Sequence, residues 1–536
     1  MPFFGKVAAR AFCKIVQYHA CTKQNKMYKC ATQQAINSSN TAGLKTSYHI
    51  IRYTPNKNDN TSIGKLFDFM TAYPVRYYFL AVMLALSVYF FYLNAQTGII
   101  YCLFFLLSAV TLSFLKSTFY KGAYFIILFA VAIGYFARPL VLVNHPELFQ
   151  YKKIAAQTDI NAINEALRYA LISMVFLSAG FVITVKSIPD KITSSVRMPY
   201  FMTRNFDIIN IILIALTLTR LALAIYSNAG IKGQTADTVF AFALRLLSPE
   251  MSFIIYYVYL SRHWKRLNLQ RRIIVLSMIG LTAFSVFITG SKAFLAIFGL
   301  CIFISIIYKN RKIKVYSFLW LSLASLVLLA FSFVMAAAVK FSGSRDPGAI
   351  IAKAGAFVNA GSLLTISNDI TIRMVGLDGQ IGSYIISNQL NPKEKILLQE
   401  SFSGKEIILH TLNNIVPKVE FTYTPSTAKL ASEYFDGHTL DKVHTGAIGL
   451  FAAIYFMCGP YFFIFNLAFG AVLGYFFTYV RKIKNEDLKF VLFFVGCYFI
   501  LRIVLSGNFD IILGEFFVEL VTLFIYIRII LLTGKR

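Results

Sequence analysis

Residues 98–115 read GIIYCLFFLLSAVTLSFL, eighteen positions without a charge, closed by Lys116 and followed by Lys121. As a helix rising 1.5 Å per residue, the stretch reaches about 27 Å, close to the roughly 30 Å hydrocarbon core of a bilayer. A run of this length and composition crosses a membrane.

Similar runs recur on both sides, near 75–94, 122–138, 168–186, 208–227, 242–261, 273–290, 293–308, 315–339, 459–480, 488–505 and 511–532. With 98–115 they predict an all-α, polytopic membrane protein of about twelve transmembrane helices. Composition agrees: 57% of the 536 residues are hydrophobic, 14% are charged and the mean hydropathy is +0.64. A soluble multidomain protein carries about 25% charged residues.

The formal net charge of +28 would suit a nucleic-acid binder if it lay on one stripe or domain. It is distributed instead in short clusters between the apolar runs, the pattern of the positive-inside rule, and no nucleic-acid partner is expected. The inside clusters are Lys116 and Lys121; Lys186, Lys191, Arg197 and Arg204; Arg262, Lys265, Arg266, Arg271 and Arg272; Lys309, Arg311, Lys312 and Lys314; Arg481, Lys482, Lys484 and Lys489; and Lys535 with Arg536. The intervening turns at 95–97 and 506–510 have no positive charge, and 228–238 has only Lys232. Both termini are therefore expected in the cytoplasm.

That parity places 340–444, between spans nine and ten, on the outer side. This large loop holds ten basic and ten acidic residues, with apolar patches such as Ile407-Ile408-Leu409, a composition for a folded cap of short helices rather than a disordered tether. A smaller outer loop is expected from Arg138 to about Arg168. Residues 1–70 form a polar segment rich in Lys, Asn, Thr and Gln without an apolar span. It reads as a cytoplasmic tail, disordered, or as an upstream extension with Met70 near the true start; 71–536 form the membrane domain. No signal-peptide pattern is present, and no internal repeat stands out.

The seven cysteines offer no disulfide framework. Cys13, His19, Cys21 and Cys30 lack the tight pairs that zinc sites use, so no metal or other cofactor is expected.

Charged side chains at membrane depth are functional candidates. Arg138 ends the third run, Arg220 lies within the fifth, Arg245 precedes Pro249 and Glu250, Lys292 sits in Thr289-Gly290-Ser291-Lys292, and Arg502 lies one turn from the end of the eleventh. Five cations and one acid toward one face point to an anionic partner. The loop adds Arg345 and Arg373 near its entrance. Its exit, Glu433 to Thr445, includes His438, Asp441 and His444, groups able to take a proton from a sugar hydroxyl; a solvated loop is the plainer alternative. The Walker A, HExxH, GxSxG and Asp-x-Asp patterns are missing, which disfavours ATP-driven transport, zinc proteolysis, serine hydrolysis and metal-dependent glycosyl transfer.

Four stretches in order carry a resemblance: Gly134-Tyr135-Phe136-Ala137-Arg138-Pro139; Ile288-Thr289-Gly290-Ser291-Lys292; the late outer loop; and Thr445-Gly446-Ala447-Ile448-Gly449, leading through Tyr455-Phe456-Met457-Cys458-Gly459 to a run with Gly470 and Gly474. Together they resemble the O-antigen polymerase (Wzy-type) family of oligosaccharide repeat-unit polymerases. Two positions depart from it. Lys292 stands where the family often has Arg, and Leu450 where an acid often follows the glycine, which moves the acid/base role to His438, Asp441 and His444.

The resemblance implies a metal-independent membrane glycosyltransferase of lipopolysaccharide biosynthesis at the periplasmic face of the bacterial inner membrane. Its partners would be undecaprenyl-pyrophosphate-linked glycan donor and acceptor, with a chain-length regulator as a further candidate. Arg138, Arg220, Arg245, Lys292, Arg345, Arg373 and Arg502 would bind pyrophosphate and glycan. An O-antigen ligase and a polysaccharide transporter or flippase are the rival readings.

Overall fold

The computed structural model describes residues 73–137, 139–140, 160–188, 206–226, 249–288, 293–314, 317–320, 322–323, 347–358, 391–415, 425–427, 429–430, 449–483 and 485–507, with single positions and pairs at 327, 331, 334–335, 338–339, 433, 509, 513, 517, 520–522 and 524. The chain divides into two units, Met1–Phe69 and Met70–Arg536. The described residues all belong to the second, so the expected 1–70 segment lies outside them.

Seven helices among the described residues are long and apolar enough to cross a membrane: Val75–Leu93, Ala95–Phe114, Thr118–Phe136, Ile163–Ser187, Phe206–Leu223, Leu450–Lys482 and Glu486–Leu505. They match seven of the expected runs. The other five runs fall on shorter described helices or partly outside the described residues.

In chain order, α1 is Val75–Leu93, α2 Ala95–Phe114, α3 Thr118–Val131, α4 Ile160–Ser187, α5 Phe206–Tyr226, α6 Pro249–Val258, α7 Leu269–Ile288 and α8 Ala293–Tyr308. Among the described residues of 340–444, the continuous helices are α9 (Pro347–Val358), α10 (Pro392–Ser401) and α11 (Gly404–Ile415). The bundle resumes with α12 (Leu450–Cys458), α13 (Phe462–Lys482) and α14 (Glu486–Ser506). A two-residue β1 (Tyr73–Pro74) pairs antiparallel with β2 (Lys312–Ile313).

Helix α3 is the central post. Tyr120, Ala123 to Leu128, Ala130 and Val131 are buried around its whole circumference, against α14 on one side and α8 and α13 on others. Its end widens into a π-helical turn at Ala132–Phe136, in which the Ala137 amide reaches back five residues to the Ala132 carbonyl at 2.8 Å. Peripheral helices have the inverse pattern: Val82, Val88, Phe91 and Tyr92 of α1 and Ile99, Leu103, Leu106 and Val110 of α2 are exposed. That apolar outer surface is what lipid requires.

Among the described residues, α4 and α13 approach each other closely along their length. A Cβ on Gly470 would lie 2.0 Å from the Leu177 carbonyl oxygen, and one on Gly180 2.0 Å from that of Leu467. Gly470 and Gly474 share a face by their four-residue spacing, the small-residue device by which membrane helices approach closely.

Two boundaries differ from the sequence expectation. α4 begins at Ile160, inside the expected smaller outer loop, because Ile163, Asn164, Ala166 and Leu167 are all buried. Residues 450–458, expected as a lead-in to span ten, form the separate helix α12, whose Leu450 to Ile454 are buried throughout.

Candidate functional site

One end of the bundle gathers the basic clusters. The Lys186 ammonium stands 4.7 Å from the Phe114 ring, and the Arg481 guanidinium 4.8 Å from that of Tyr120. After Val258, α6 continues through a π turn at Tyr259–His263 and a 3-10 turn at Trp264–Arg266. The π turn brings Arg262 and His263 together onto Asp487 at the start of α14: Arg262 Nε is 2.8 Å from Oδ1, and His263 Nε2 2.8 Å from Oδ2. The Tyr308 hydroxyl donates to Glu486 at 3.0 Å. Sequence reasoning listed Arg262 with an inside cluster and missed His263 and Asp487. Their joining depends on a π turn, which sequence periodicity does not reveal.

The opposite, far end is built differently. There α14 stops at Gly507, in the left-handed conformation with φ 67°. Its backbone lies directly on Gly449, φ 80°, so that a Cβ on Gly507 would be 2.3 Å from the Gly449 carbonyl oxygen. Gly449 opens α12, and the Phe451 amide donates to the Tyr135 hydroxyl at 3.0 Å. Tyr135 comes from the π turn of α3 and caps the start of α12, where backbone N–H groups lack helical partners. Their rings lie 5.1 Å apart. Beside them the Tyr101 hydroxyl donates to the Phe136 carbonyl, and the Thr97 hydroxyl to the buried Asn164 Oδ1 at 2.7 Å.

Helix α10 reaches the same end. It packs on α12, with Phe402 stacked on Phe456 at 5.7 Å. Tyr455 of α12 meets Tyr169 of α4 at 5.4 Å. Glu165 lies exposed one turn before Tyr169 and is a carboxylate that sequence reasoning did not single out.

Of the site residues expected from sequence, the structure describes two. Arg502 is half-buried on α14, its guanidinium 5.5 Å from the Tyr498 ring, in the last turns before Gly507. Arg220 is half-buried on α5, whose chief neighbour is α7. Arg138, Arg245, Lys292, Arg345, Arg373, His438, Asp441 and His444 lie outside the described residues. What the structure does join is the chain beside some of them: Tyr135 to Phe451, and Gly449 to Gly507. Two of the four resemblance stretches and the end of the Arg502 helix thus meet in one buried joint.

Among the described residues no group of three His, Cys, Asp or Glu side chains is arranged to hold a metal ion. Set against protein families, curated proteins and solved structures, the chain matches none.

Proposed function

We propose that the chain is a multi-pass inner-membrane glycosyltransferase that polymerises undecaprenyl-pyrophosphate-linked oligosaccharide repeat units at the periplasmic face, with twelve spans, both termini cytoplasmic and 340–444 outside. One observation supports this most: the far-end joint of Tyr135, Gly449, Phe451 and Gly507 ties together the segments that carry Arg138, the exit of the large loop and Arg502. Distant stretches that the family resemblance links by order alone are neighbours in space.

In the proposed reaction an acceptor sugar hydroxyl attacks the anomeric carbon of the donor glycan. The bond from that carbon to the pyrophosphate oxygen breaks, and the lipid pyrophosphate departs with the electron pair. Arg138, Arg345, Arg373 and Arg502 neutralise the departing charge, each guanidinium fork fitting two phosphate oxygens at once, and Lys292 adds an ammonium point charge; Arg220 and Arg245 contact pyrophosphate or glycan. His438 or His444, oriented by Asp441, accepts the hydroxyl proton.

The test is a deletion strain complemented with variants, read as lipopolysaccharide on gels. Wild type restores a full ladder, and alanine at both His438 and His444 leaves the core capped by single repeats. Full ladders from that double variant at normal expression would sink the acid/base assignment. Polymer on the lipid carrier but none on the core in the deletion strain would make the protein a ligase.

A transporter reading has one structural feature in its favour, the interruption of Leu450–Lys482 by the turn at Gly459–Tyr461, since discontinuous helices line transport sites. Polymerisation of lipid-linked repeats by purified protein, without gradient or nucleotide, excludes it.

A further inference from the structure

At the basic end, the start of α1 is bound to the turn after α8. Tyr73 and Pro74 pair with Ile313 and Lys312, and the Tyr78 hydroxyl donates to the Ile313 carbonyl at 2.6 Å. Between this junction and the first turn of α3 lies a shallow cleft lined by Arg76, Lys121, Asn310 and Arg311, with Gly122 and Phe125 beside them. Arg76 is held in place by its Nη1 hydrogen bond to Asn310 Oδ1 at 2.7 Å. Asn310 itself has φ 47°, a left-handed conformation that asparagine tolerates.

The cleft has three cations and no carboxylate among its lining residues. The carboxylates described at this end are taken by other bases: Asp487 by Arg262 and His263, Glu486 by Lys489, Asp207 by Arg271. Among the described residues none of Arg76, Lys121 and Arg311 has such a partner. Lys309, immediately before this turn, shows the local excess: burial first, then Arg311 and Arg262, push its ammonium below the ordinary lysine value. Fixed cations gathered in one concave place attract an anion.

The surroundings identify where the anion comes from. Tyr73, 44% exposed, and Tyr77, 49% exposed, flank the cleft, with Arg76 5.3 Å from the Tyr77 ring. Tyr78 contacts Tyr73 edge-on and stacks on Phe318 at 5.5 Å. Exposed tyrosines beside cations mark the headgroup level of a membrane, and the exposed apolar face of α1 leads from there into the hydrocarbon.

We propose that Arg76, Lys121 and Arg311 form a binding site for the phosphate of an anionic lipid headgroup. The two guanidinium groups and the ammonium supply charge-assisted donors for its oxygens, while the acyl chains follow α1. The site is separate from the far-end joint and holds whether or not the polymerase reading does.

The experiment is native mass spectrometry of the full chain in neutral detergent, titrated with phosphatidylglycerol or phosphatidylcholine, with and without millimolar inorganic phosphate. Wild type retains phosphatidylglycerol over phosphatidylcholine, and inorganic phosphate does not displace it. Arg311→Gln, at an exposed position, weakens phosphatidylglycerol binding about fivefold, and the triple variant R76Q/K121Q/R311Q weakens it further toward the phosphatidylcholine level. Equal phosphatidylglycerol retention by wild type and Arg311→Gln would overturn the proposal. So would displacement by inorganic phosphate, which would make a soluble phosphate the ligand.

Discussion

Tyr135 shows how a residue unremarked in the sequence organises the far end. A tyrosine in an apolar run reads as ordinary core, whereas the charges at Arg138 and Arg502 draw attention because charge is costly in a membrane. The tyrosine ring is fully buried, and its oxygen takes the Phe451 amide that α12 leaves unpaired. Tyr135→Phe keeps the ring contact with Phe451 and strands that amide. The expected cost is about 1–3 kcal/mol, read as a lower melting temperature of the purified protein in detergent, with folded yield retained. An unchanged melt would show that the amide finds another partner. Asp487 and His263 were illegible for a similar reason: nothing in the spacing of Arg262-His263 and Glu486-Asp487 announces that two distant segments share an ion cluster.

At the scale of helices the sequence was more informative, because length and lack of charge follow directly from the thickness of a bilayer. It anticipated α1, α2 and α8 to within a few residues. Joints were less legible. The break between α12 and α13 falls at Gly459-Pro460, a turn signal at which the expected run begins, but the helix before it carries no such mark, and π turns leave no periodic trace. In the sequence Gly470 and Gly474 are only glycines in a span, yet they are what lets α13 lie against α4. Gly470→Leu is expected to cost about 1–3 kcal/mol or abolish folding, since the added side chain must enter the Leu177 backbone. Gly280→Leu, on a face of α7 where a Cβ meets nothing within 4 Å, should express and melt as wild type. Fluorescence-detected size-exclusion after heating separates the two; equal behaviour would mean that α4 and α13 part readily.

At the scale of the molecule, the bundle has two unlike ends among the described residues, one rich in cations and the other closed by buried polar joints. The proposed orientation makes a direct prediction in a cysteine-free background. Ile408→Cys, on an exposed face of α11, reacts with a membrane-impermeant maleimide in cells with a permeabilised outer membrane. Lys265→Cys reacts only once the inner membrane is broken. The reversed pattern would invert the topology and move the proposed chemistry to the cytoplasm. The acid/base candidates His438, Asp441 and His444 are legible only as composition, and they lie outside the described residues. The π turn at Ala132–Phe136 adds a constraint of a different kind. Each residue in a helix advances the azimuth by about 100°, so the surplus residue in that turn works as a vernier between the central post and everything beyond it. Deleting one residue there would restore an ordinary helix and carry Tyr135 about a quarter-turn off α12. In descendants of this sequence, substitutions within 132–136 are therefore more easily accommodated than a change in the number of residues.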